Sequence, residues 1–95
     1  MILPYDTILD RMNRKHQRTL SRIIEQPERS DIPWLDIERL FIALGGNISE
    51  GRGSRVRVHL NGVRAVFHRP HPERVTDKGA VSSVRRFLKE AEVIS

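Results

Sequence analysis

In the stretch SRVRVHLNGVRAVFHR, residues 54–69, two runs of alternating polar and apolar residues flank Asn61-Gly62. Asn-Gly accepts the positive φ angles of a two-residue hairpin turn, and the alternation is that of strands buried on one side. So short a turn fixes the register: Leu60 faces Val63, His59 faces Arg64, Val58 faces Ala65, Arg57 faces Val66, Val56 faces Phe67 and Arg55 faces His68. One face therefore carries Val56, Val58, Leu60, Val63, Ala65 and Phe67, and needs cover from helices. The opposite face carries Arg55, Arg57, His59, Arg64, Val66 and His68. A merely solvated strand face mixes signs. This one has arginine and histidine without a carboxylate, which suits a polyanion.

Outward from the hairpin, Asn47 to Glu50 reads as a short strand joined to it through Gly51-Arg52-Gly53. That connection lacks the Gly-Lys-Ser/Thr ending and following helix of a nucleotide-binding loop, so it reads as a tight turn. Before it, Trp34, Ile37, Leu40, Phe41 and Leu44 form the apolar stripe of a helix. Asp31 is the candidate cap, Pro33 fits the first turn, Asp36 and Glu38 suit the positive helix end, and Gly45-Gly46 stops it. An earlier helix is expected from Asp6 to about Glu25, with Ile8, Met12, Leu20, Ile23 and Ile24 at loosely helical spacing and Pro27 beyond its end. Downstream, His68-Arg69-Pro70-His71-Pro72 is a stiff extended exit. Thr76 or Asp77 then caps a last helix, with Val81, Val84, Phe87, Leu88 and Ala91 inward and Arg85, Arg86 and Lys89 outward.

The chain has 95 residues, the size of one domain, and its 17 Lys plus Arg against 12 Asp plus Glu give a formal charge of +5. Nucleic acid is the commonest partner for such a balance. No cysteine is present, so disulfides, thiolate metal sites and cysteine nucleophiles are excluded. The scattered carboxylates and histidines lack metal-ligand spacing, and neither a metal nor a cofactor is expected. No apolar run reaches the roughly 20 residues of a membrane span, and the opening residues lack the order of a secretory signal, so a cytoplasmic protein is expected.

The order helix, helix, three strands, helix defines an α+β fold. A helix ending Leu44-Gly45-Gly46, the segment Gly53-Ser54-Arg55, the exit Phe67-His68-Arg69-Pro70-His71-Pro72 and a closing helix after Lys78-Gly79 together resemble the HicA-type toxins of bacterial toxin-antitoxin systems, over about Ile32 to Val93. The resemblance implies a double-stranded-RNA-binding-like fold, α-β-β-β-α, in residues 32–95, with residues 1–31 an N-terminal helical extension and linker. It also implies an endoribonuclease acting on mRNA and neutralised by a HicB-like antitoxin. Standard members carry Gly-Ser-His in the second strand, the histidine being catalytic, and the matching position here is Arg55.

Metal-free RNA cleavage asks for a base at the 2′-hydroxyl, an acid at the leaving oxygen and cations around the phosphorus. Imidazole suits the first two as a residue type. The hairpin register sets His68 about 5 Å from Arg55 at Cβ, with His71 a few residues on, so His68, His71 and Arg55 are the candidate catalytic group. His59 lies roughly 13 Å along the hairpin from His68, too far for one acid-base pair. Arg57, His59, Arg64, Arg52 and Arg69 are the candidate RNA-binding residues. A non-catalytic RNA-binding domain and an antitoxin-docking module with the same basic face are the competing functions. DNA is the weaker partner, because the closing helix has no helix-turn-helix before it.

Overall fold

The computed structural model describes residues 12–95, and the part of the expected first helix that falls on residues 6–11 lies outside them. Helix α1 spans Arg14–Ile24, α2 spans Trp34–Ala43, strands β1, β2 and β3 span Asn47–Glu50, Arg55–Leu60 and Val63–His68, and α3 spans Lys78–Glu90. The strands form one antiparallel sheet in the order β1-β2-β3. From α2 onward this is the α-β-β-β-α order expected of a double-stranded-RNA-binding-like α+β fold.

The β2–β3 register matches the sequence reading at every pair, from Leu60↔Val63 to Arg55↔His68. Asn61 and Gly62 take φ values of 50° and 81° in the turn, and the Asn61 amide donates to the Ala91 carbonyl at 2.8 Å, tying the hairpin tip to the end of α3. Val56, Val58, Leu60 and Phe67 are buried beneath the helices. Phe67 stacks on Phe41 at 5.7 Å and meets Phe87 edge-on at 5.6 Å, so one ring from each of α2, β3 and α3 converges at the end of β3. Fully burying such side chains contributes about 1.5–3 kcal/mol apiece.

Three local expectations are corrected. Helix α1 does not run on from Asp6: Met12 and Asn13 are non-helical, and Asn13 caps Arg14–Ile24 by accepting from the His16 N–H at 2.9 Å. The start of α2 is not capped by Asp31, which pairs with Arg29 instead. Its first N–H groups find backbone partners, Trp34 N–H donating to the Arg74 carbonyl at 3.0 Å and Asp36 N–H to Pro33 at 3.1 Å. The Trp34 bond belongs to a two-sided clasp, since Thr76 N–H donates to the Ile32 carbonyl at 2.9 Å around an isolated Pro33↔Val75 bridge.

The third correction concerns Arg85, which is not outward-facing but buried. Its guanidinium donates to the Ile23 carbonyl at 3.0 and 2.9 Å, to the Glu25 carbonyl at 2.9 Å and to Glu28 at 2.8 Å. These are the carbonyls a helix end leaves unsatisfied, so a side chain of α3 caps α1. Leu20 and Ile23 of α1 accordingly sit in the same apolar core as the sheet.

Candidate RNA-binding face and histidine cleft

On the exposed side of the sheet, alternation and pairing put the polar residues in straight rows. Asn47, His59 and Arg64 form one row across the three strands, Ser49, Arg57 and Val66 the next, and Arg55 with His68 the third. All eight side chains are exposed. β1 thus adds Asn47 and Ser49 to a face that sequence reasoning built from β2 and β3 alone. The alternation Asn47-Ile48-Ser49, with Ile48 against the core, was the available signal.

Arg55 and His68 are cross-strand partners at the open end of the hairpin. His71 lies on the exit beyond them, and both histidines line one cleft of about 580 Å³ between that exit and the start of α3. His59 stands level with Arg64, two rows away from His68. Arg52 is exposed in the β1–β2 turn, where its carbonyl accepts from the Arg55 N–H at 3.1 Å. The structure therefore brings His68, His71 and Arg55 to one end of the sheet and Arg57, His59 and Arg64 to its middle and far rows.

Arg69 is occupied differently. Its guanidinium bonds Glu38 on α2 at 2.7 and 3.0 Å and Glu50 at the end of β1 at 2.7 and 2.9 Å. Its hydrogen bonds to the carboxylates of Glu38 and then Glu50 push its already high pKa further up. Glu38 also accepts from the Trp34 indole. Arg69 N–H continues the ladder to the Ser54 carbonyl at 2.8 Å. With two carboxylates already on it, Arg69 carries little free charge toward a phosphate, and its placement fixes the chain between His68 and His71.

Among the described residues no group of three or more His, Cys, Asp or Glu is clustered to hold a metal ion, and no helix is long and apolar enough to cross a membrane. The arrangement can neutralise several phosphates along a sheet, and it puts two histidines on one cleft at its end, one of them the cross-strand partner of Arg55.

Residues 34–93 match the family model described as HicA toxin of bacterial toxin-antitoxin. Neither the curated proteins nor the solved structures returned a match.

Proposed function

The chain belongs to the HicA toxin family, and from that premise we propose that it is a metal-independent endoribonuclease acting on mRNA, held inactive by a HicB-like antitoxin in the cytoplasm. The observation that carries the reading is the pairing of Arg55 with His68 at the sheet end, with His71 on the same cleft. In the proposed reaction His68 takes the 2′-hydroxyl proton as that oxygen attacks the adjacent phosphorus. The bond from phosphorus to the 5′-oxygen breaks, His71 protonates the departing oxygen, and a 2′,3′-cyclic phosphate and a 5′-hydroxyl result. Arg55 stabilises the charge on the crowded phosphorus. Arg57, His59, Arg64 and Arg52 hold neighbouring phosphates, which supports RNA over a neutral partner.

A second reading, a non-catalytic RNA-binding or antitoxin-binding domain, is favoured by the arginine at position 55, where the family resemblance expects histidine. One experiment separates the two: incubation with a mixed-sequence RNA in EDTA, comparing the protein with folded His68→Ala and His71→Ala variants. Cleavage lost in either variant supports the nuclease; RNA left intact by the parent protein supports the binding domain.

A further inference from the structure

Val66 is 56% exposed, the one large apolar side chain left open on the sheet among the described residues. It sits on the basic face, in line with Arg57 and Ser49 across the three strands, and one row from Asn47, His59 and Arg64. Together these side chains line an open depression of about 530 Å³, within the range of small-ligand clefts. The Arg57 guanidinium donates to the Glu50 carbonyl at 3.2 Å, which anchors it at the end of β1. Neither the Asn47 nor the Ser49 side chain has a hydrogen-bond partner among the described residues.

A surface that only gathers phosphates needs cations and nothing else. This depression adds an apolar floor, a planar cation beside it, and at its β1 side an amide and a hydroxyl that both donate and accept. That combination fits a nucleobase, whose flat faces are apolar and polarisable and whose rim carries donors and acceptors. A protein partner is the poorer fit, since a single valine ringed by polar groups falls far short of the apolar patch that protein docking uses.

We propose that this depression is a nucleobase subsite: the base lies over Val66 against the Arg57 guanidinium, and Asn47 and Ser49 bond its rim. The subsite rests on the RNA-binding reading above and adds base contact to it. Because the Ser49-Arg57-Val66 row is next to the row of Arg55 and His68, about 7 Å along the strands, the base read is that of a nucleotide adjoining the phosphate held at the sheet end.

The test uses fluorescein-labelled eight-nucleotide RNAs carrying 2′-fluoro sugars, which remove the attacking hydroxyl, with one abasic site moved stepwise along the strand. Binding is followed by anisotropy at low salt. One abasic position is expected to weaken binding about fivefold or more. Val66→Ser should weaken the intact oligomer to a similar degree and respond no further to that abasic position, while Asn47→Ala should change which base is preferred there. Equal affinity for every abasic oligomer, with salt-sensitive binding retained, overturns the subsite and leaves the RNA reading standing. Absence of binding to any oligomer overturns both, and would assign the face to a protein partner.

Discussion

The Arg69 guanidinium grips the Glu38 carboxylate side-on, Nε donating to Oε2 at 2.7 Å and Nη2 to Oε1 at 3.0 Å. Through that grip α2 holds the chain one residue beyond His68. Glu38 is buried, whereas Glu50, the other carboxylate on Arg69, has a side chain 69% exposed. Glu38→Ala, which strands both the Trp34 indole N–H and half of the guanidinium, is expected to cost about 2 kcal/mol. Glu50→Ala should cost no more than about 0.5 kcal/mol. Urea midpoints measure both, and equal losses would mean that burial does not set the worth of these pairs.

Arg85 makes a parallel case at the other side of the core. Arg85→Leu leaves the Ile23 and Glu25 carbonyls without their donor and should lower stability by about 2–4 kcal/mol. Lysine cannot span the same acceptors with one ammonium, so Arg85→Lys should recover little of the loss. Hydrogen exchange should report the damage first in the last turn of α1.

Acid should loosen the same corner. The hydrogen bond from Arg85 holds the Glu28 carboxyl below its ordinary value, so Glu28 contributes stability that is complete above about 4.5, the ordinary value, and is lost as pH falls through the depressed one. Asp31 is lowered likewise by its hydrogen bond from Arg29 and adds to the same acid slope. Glu28→Gln should therefore melt below the parent protein at pH 6 and converge with it as the pH falls through the depressed value. Parallel melting curves across that window would show that the pair contributes nothing.

Gly46 is irreplaceable for a reason of space. A Cβ there would come within 2.9 Å of the Phe41 carbonyl oxygen and 3.3 Å of that of His59, both backbone atoms. Gly46→Ala should destabilise by about 1–3 kcal/mol, as overpacking does. Gly53→Ala meets no neighbouring atom but carries a φ of +61°, so its cost is conformational and should be about 1 kcal/mol. Thermal midpoints of the two variants distinguish these origins by rank.

If the exposed face neutralises phosphates, log affinity for RNA should fall linearly with log salt, and Arg57→Ala and Arg64→Ala should each reduce that slope by about one. His68→Ala, on an exposed side chain, should leave stability within about 0.5 kcal/mol while lowering any cleavage rate about 100-fold or more. Titrations at several salt concentrations and a rate measurement on the folded variant are sufficient.

The hairpin was legible because an Asn-Gly turn leaves no freedom in register, and the sorting of Val56, Val58 and Leu60 from Arg55, Arg57 and His59 follows from the pleat alone. The last helix was legible from its stripe, and its cap is Asp77, which accepts from the Ala80 N–H at 2.7 Å. Arg85 was not, because its partners are carbonyls 60 and 62 residues away and periodicity carries no trace of a backbone acceptor. Nor was the commitment of Arg69, which needs Glu38 from one helix and Glu50 from one strand to arrive together. Local pattern told which side chains share a face; tertiary closure decided which charges on or near it stayed free.

The clasp between Ile32 and Thr76 closes the intervening chain into a loop at its own base. The sheet is thus held at two separate places, at the base of this loop by the clasp and at the hairpin tip by the bond from Asn61 to Ala91, so the strands that carry Arg55 and His68 are anchored at both ends.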